Sequence, residues 1–127
     1  MAHAPLPTDA ELAILRLLWT QGPATVRQIH EALTRERELG YTTVLKTMQV
    51  MLDKGLLSRD DSERSHVYQA AVSEGDTKGQ LVSDLMAKAF SGSAQQLLMH
   101  ALRAGHASED DLDAIQRLLE DARKGRS

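Results

Sequence analysis

"GYTTVLKTMQVMLDKG", residues 40–55, reads as one helix with two unlike faces. Val44, Leu45, Met48, Met51 and Leu52 recur at i, i+1, i+4, i+7 and i+8 and make an apolar stripe fit for a core. The other side carries Thr42, Thr43, Lys46, Gln49, Val50 and Asp53. Threonine is a mediocre helix former, because branching at Cβ restricts its χ1. Solubility alone would be served better by Glu, Lys and Ala, so this hydroxyl-rich, thinly charged face is expected to touch something.

Outward from that helix, glycines mark the joints: Gly22, Gly40, Gly55, Gly75, Gly92 and Gly105 sit where an apolar pattern stops or restarts. Thr8 with Glu11, Thr25 with Gln28 and Ser93 with Gln96 have the form of a capping box, and Ser108 with Asp111 is a weaker version. The patterns predict helices over about 9–21, 25–38, 42–54, 76–91, 94–104 and 109–123. In "LLSRDDSERSHVYQAAV" (56–72) the period shifts to two, with short runs at Leu56–Arg59 and His66–Ala70 joined by the polar turn "DDSER". That pattern suits an exposed antiparallel hairpin. Three helices and then a hairpin is the order of a winged helix-turn-helix. The expected fold is mainly α with a small β-hairpin wing: a winged-helix domain over residues 1–73, followed by C-terminal dimerisation helices over 74–127.

Composition narrows the function classes. The 127 residues are 42% hydrophobic and 26% charged, ordinary values for a globular chain, and 3% aromatic. No cysteine is present, which excludes disulfides, thiolate metal sites and a cysteine nucleophile and fits a cytoplasmic protein. No apolar run nears ~18 residues, so membrane insertion is not expected. His3, His30, His66, His100 and His106 lack metal-ligand spacing, and no G-x-S-x-G, P-loop or G-x-G-x-x-G occurs. Neither an enzyme nor a metal or cofactor site is expected. Net charge is −3, and residues 1–70 hold 8 Lys/Arg against 9 Asp/Glu. Bulk charge therefore argues for no nucleic-acid partner, and any such role must rest on where the charges sit.

In a helix-turn-helix the second helix enters the DNA major groove with its N-terminal residues nearest the bases. Thr42, Thr43 and Lys46 occupy those positions, with Gln49 further along the same face. A threonine hydroxyl can meet a phosphate or base edge, and its methyl can meet the thymine methyl. Arg27 and the N-terminal amides of its helix can hold phosphate. The plain alternative is a solvated face with Thr42 as N-cap. For Arg59, Arg64, His66 and Tyr68 a wing that touches the sugar-phosphate backbone stands against a surface turn in which Asp60, Asp61 and Glu63 neutralise the arginines.

The last third is purely helical. Leu81, Val82, Leu85, Met86, Ala89 and Phe90 form one apolar band, and Leu97, Leu98, Ala101 and Leu102 continue it. Leu112, Ile115, Leu118, Leu119 and Ala122 make a clean stripe on the final helix. So short a segment cannot bury this much apolar surface alone. Pairing with a second copy is the favoured reading, and folding back onto the winged helix is the alternative.

"AELAILRLLW", "GPATVRQIHEAL", "YTTVLKTMQVMLDKGLLSR" and "HVYQAAVS" together resemble the penicillinase-repressor (BlaI/MecI) family of winged-helix regulators. The likeness continues more weakly through "FSGSAQQLLMHAL" and "SEDDLDAIQRLLE". It implies a homodimeric transcriptional repressor of an inverted-repeat operator with TACA/TGTA-type half-sites, of the kind that controls β-lactam resistance, released when a membrane sensor-protease cleaves it. By position it implies operator contacts from Thr42, Thr43 and Lys46, supported by Tyr41, Arg27, Arg64 and His66. Val50 stands where the family commonly carries Arg. The cleavable bond would fall at His100–Ala101, where members studied for cleavage have Asn–Phe. The copper-responsive branch carries a C-terminal cysteine cluster, and its metal sensing is excluded here. Two further readings stay open on the residues: a winged-helix module that docks a protein, and a repressor released by a small ligand.

Overall fold

The computed structural model describes residues 4–125. In chain order the elements are α1 (Asp9–Gln21), α2 (Val26–Thr34), α3 (Tyr41–Lys54), β1 (Leu57–Asp60), β2 (Val67–Ala70), α4 (Glu74–Ala89), α5 (Ala94–Arg103) and α6 (Glu109–Lys124). The chain divides into two compact units, the first ending at Leu81 and the second starting at Val82.

The first unit is a winged helix. Its core joins Ile14, Leu15 and Leu18 of α1, Val26 and Ile29 of α2, and Val44, Met48 and Met51 of α3 to Leu56, Leu57 and Tyr68. The stripe read from residues 40–55 is thus the buried face of α3, with Leu45 and Leu52 half-buried at its edges. Gly55 ends α3 in the left-handed region, at φ 84°, where a side chain would be strained. The chain turns there, and Leu56 N–H bonds back to the Met51 carbonyl at 2.9 Å.

The wing pairs Leu57 with Ala70, Ser58 with Gln69, Arg59 with Tyr68 and Asp60 with Val67. It is less exposed than its sequence suggests. Tyr68, expected on an exposed hairpin, is only 2% exposed. Its backbone exchanges two hydrogen bonds with Ala24, at 2.9 and 2.8 Å, in a bridge between the wing and the residue just ahead of α2. Pairing across so many residues leaves no periodic trace.

Other boundaries differ for local reasons. The second helix stops at Thr34 instead of about residue 38; Glu36 and Arg37 N–H both turn back to the Leu33 carbonyl, and "TRERELG" offers no apolar residue until Leu39 to hold another turn. The fourth starts earlier than expected because Ser73 caps it, accepting from Asp76 N–H at 3.1 Å. The cap on α3 is Gly40, so Thr42 is not an N-cap but lies inside the first turn. Thr8, Thr25 and Ser108 each form the full reciprocal capping box, whereas Ser93 makes only the bond from Gln96 N–H. Expected as the weaker version, Ser108 with Asp111 makes both bonds.

In the second unit no residue of α5 or α6 is fully buried. Phe90 packs on the His100 ring, with centroids 5.8 Å apart. Leu85, Leu102, Leu112, Leu118 and Leu119 are exposed, the last two at 66% and 53%, while Phe90, Leu98 and Ile115 are half-buried, as is Leu81 at the end of the first unit. No helix among the described residues is long and apolar enough to cross a membrane.

One ion pair ties the winged helix together. Glu11, 3% exposed, accepts from Lys54 Nζ at 2.8 Å and from Thr8 N–H at 2.9 Å, joining the start of α1 to the end of α3. Burial pushes its carboxyl up, but the bonds from Lys54 and Thr8 outweigh this and hold it below the usual carboxylate range. A depressed folded value means that its stabilisation is present above the ordinary Glu range and is lost as pH falls through the folded value. Glu11→Gln is expected to cost roughly 1–3 kcal/mol at neutral pH, the cost of a broken charge-assisted hydrogen bond. In urea titrations the gap to the unsubstituted protein should close as pH drops below the carboxylate range. A gap that stays constant with pH would show that Glu11 acts through packing and not through charge.

Candidate nucleic-acid interface

The outward face of α3 is open along its length. Tyr41, Thr42, Thr43, Lys46, Gln49 and Val50 are all exposed. Among the described residues Thr42, Thr43 and Gln49 make no side-chain hydrogen bond within the chain, so their polar groups stay available. Thr47 is different: its hydroxyl donates to the Thr43 carbonyl at 2.9 Å and is spent inside the helix.

On one side of α3 lies a cleft of about 470 Å3 between the starts of α2 and α3 and the wing. It gathers Arg27, Tyr41, Arg64 and His66, all singled out by sequence, with Thr25 and Tyr68 behind them. The α2 cap supplies one of its walls. Thr25 Oγ1 accepts from Gln28 N–H, and the Gln28 side chain answers the Thr25 N–H. Among the described residues the N–H groups of Val26 and Arg27 have no acceptor, which leaves them for an outside one. On the other side of α3 a depression of about 340 Å3 is lined by Thr43, Lys46, Thr47 and Val50 against Thr8, Ala10 and Glu11. The sequence-predicted residues thus fall into two groups flanking one helix, with Thr42 and Gln49 exposed on the same element.

The charges resolve the balance that composition left open. In the wing, Asp61 Oδ1 accepts from Arg59 Nε at 2.6 Å and lies 2.7 Å from His66 Nδ1. The Arg59 bond and charge, reinforced by His66, hold the Asp61 carboxyl below its usual range against a smaller effect of burial. Asp60 is held low by the backbone N–H of Ser62, which it accepts at 2.9 Å. The neutralisation expected for the wing therefore falls on Arg59. Arg64, Arg27 and Lys46 have no ion-pair partner among the described residues, which puts three uncommitted cations around α3. Among the described residues no group of His, Asp and Glu could hold a metal.

One contributor lies deeper than expected, and another was not legible as a site residue. Tyr68 was expected at the surface of the wing and instead forms the buried back of the cleft. His30 sits half-buried behind Tyr41, with ring centroids 5.7 Å apart in an edge-on contact. Its place four residues after Val26, beside the stripe of α2, was the available signal.

Comparison with known proteins settles the family. Residues 7–121 match the family model described as penicillinase repressor. The chain belongs to the penicillinase repressor family. This penicillinase repressor relative is 35% identical over 119 residues to the transcriptional regulator BlaI of Mycobacterium tuberculosis, covering 92% of this chain and 85% of that one. It is 20% identical over 112 residues to the methicillin resistance regulatory protein MecI of Mammaliicoccus sciuri, covering 88% and 91%. The fold is similar to the solution structure of the DNA-binding domain of the repressor BlaI, with a TM-score of 0.53 at 22% identity over 60% of this chain and 93% of that one. It is equally similar to Bacillus licheniformis BlaI in its monomeric form, solved in complex with the blaP half-operator, with a TM-score of 0.52 over the same shares. As a penicillinase repressor family member the chain is a BlaI/MecI-type transcriptional regulator with a winged-helix domain, and not an enzyme.

Proposed function

We propose that this chain is a cytoplasmic, homodimeric repressor that binds an inverted-repeat operator in double-stranded DNA. In this reading α3 lies in the major groove. Tyr41, Thr42, Thr43, Lys46 and Gln49 face the bases and adjacent phosphates, while Arg27, Arg64 and His66 grip the backbone along one edge of the helix. The observation that carries it is the cleft: three separate elements bring Arg27, Tyr41, Arg64 and His66 to one edge of α3, and among the described residues neither arginine has an acidic partner. An acidic chain can bind an acidic polymer when its acids are paired off or turned elsewhere.

The second copy is called for by the exposed Leu85, Leu102, Leu112, Leu118 and Leu119, together with half-buried Leu81, Phe90, Leu98 and Ile115. A two-fold dimer would set two α3 helices about 34–36 Å apart or a multiple of that, which is the physical reason for a palindromic operator. Control of β-lactam-resistance genes and release by a membrane sensor-protease extend the reading. The candidate bond, His100–Ala101, lies inside α5, so cutting it requires that helix to unwind locally.

The test is fluorescence anisotropy of the purified protein against duplex from upstream of its own gene, beside a scrambled duplex, across a salt series. Tighter binding to the native duplex, with a steep salt slope from counterion release, is expected. Lys46→Ala should weaken it about 5- to 10-fold, as loss of a contact worth ~1 kcal/mol or more does. Unchanged affinity would remove Lys46 from the interface. Equal, weak binding to both duplexes would instead support a module that docks a protein.

A further inference from the structure

We infer that His30 is a positioning residue for operator reading, one that fixes the first turn of α3 without touching DNA itself; this rests on the reading of α3 as the base-facing helix. The start of α3 lacks the side-chain cap that other helices of the chain carry. Helices α1, α2, α5 and α6 each begin with a Thr or Ser side chain bonded to a backbone N–H, whereas α3 begins at Gly40 with no side-chain cap. Gly40 has φ −75°, ordinary for any residue, and a Cβ there would meet only Thr43 Oγ1 at 3.9 Å. Neither backbone strain nor crowding requires glycine at that place. The chain leading to it, residues 35–40, belongs to no helix or strand. Left alone, such a start frays, because its N–H groups lack partners.

His30 supplies what the cap does not. Its Nε2 lies 2.8 Å from the Leu39 carbonyl oxygen, two residues before α3. A carbonyl can only accept, so Nε2 carries the proton and donates, in the neutral ring as in the charged one. The same ring meets Tyr41 edge-on, at 80° and 5.7 Å between centroids. One side chain on α2 therefore holds the residues on both sides of Gly40. Tyr41 in turn forms part of the cleft wall with Arg27 and Arg64, and Thr42 and Thr43 follow it directly. A rigid first turn lets those side chains meet base edges at fixed distances, whereas phosphate gripping tolerates movement.

That division gives the test. Affinities of the full chain and of His30→Ala and His30→Gln are measured for the upstream duplex and for its scramble, with thermal midpoints and amide exchange of the free proteins. His30→Ala is expected to lower the ratio of native to scrambled affinity about 3- to 10-fold, the span of one net hydrogen bond, while scrambled binding stays as it was. His30→Gln keeps an N–H donor for Leu39 and should recover part of the ratio, and it carries the test if the alanine variant does not fold. Amides of Val44, Leu45 and Lys46, the first to bond back to carbonyls at the start of α3, should exchange faster in His30→Ala. An unchanged ratio in both variants would overturn the inference, as would a parallel loss on both duplexes that tracks a lowered midpoint. If the unsubstituted protein does not distinguish the duplexes, the operator reading fails. In that event the exchange rates still decide whether His30 fixes the turn.

Discussion

Tyr68→Ala is expected to remove about 3–5 kcal/mol of stability, the range for truncating a buried aromatic side chain. Tyr68 is 2% exposed and belongs to the core shared by α1, α2, α3 and the wing. Three consequences follow from one truncation. A cavity opens in a small core, the hairpin loses the residue that anchors it, and the Ala24 bridge loses the side chain that holds its strand in place. Against a total of ~5–15 kcal/mol for an ordinary domain, such a loss brings the winged helix near unfolding at growth temperature. Urea titration should show the midpoint falling steeply. Tyr68→Phe, which removes only the hydroxyl beside Arg59, should cost well under half as much. A near-native midpoint for Tyr68→Ala would mean that the wing is held by its backbone ladder alone.

Leu118→Glu carries the second large effect. Leu118 is 66% exposed and its neighbour Leu119 53%, on a helix with no fully buried residue. Exposure of that kind is unremarkable singly and informative as a stripe. A glutamate there costs a lone chain little, because the position is already wet. In a paired stripe it would bury an unpartnered charge, which is expensive. Sedimentation velocity should therefore give a monomer with unchanged helical content. Affinity for a full palindrome should fall about 100-fold or more, since linking two half-site contacts is worth at least that order. A dimer that persists would place the interface away from α6, and a loss of helix would mean that α6 packs within its own chain.

What the sequence disclosed follows the range of the interactions involved. The α3 stripe and the Thr8, Thr25 and Ser108 caps are local, set by residues three or four apart, and each can be read from spacing. The Glu11–Lys54 pair joins residues 43 apart. Its clue was that Glu11 shares a face with Leu15 and Leu18, where a lone acid is out of place unless it is paired. For the site, the residue types on α3 were legible because the helix period fixes which of them face outward. The cleft was not, since it depends on how far the wing leans toward the start of α2. That distance is set by the Ala24–Tyr68 bridge, a contact with no signature in period or composition.

The indole of Trp19 donates from Nε1 to the Val72 carbonyl at 3.0 Å, where the chain leaves the wing. It is the one tryptophan in the sequence and lines neither the cleft beside Tyr41 nor the depression beside Lys46. The protein thus carries a built-in fluorophore that sees whether the segment leaving the wing is seated on α1 and that lies outside both hollows beside α3. Its emission can follow unfolding in the presence of DNA, so that loss of fold and loss of grip are recorded in the same cuvette.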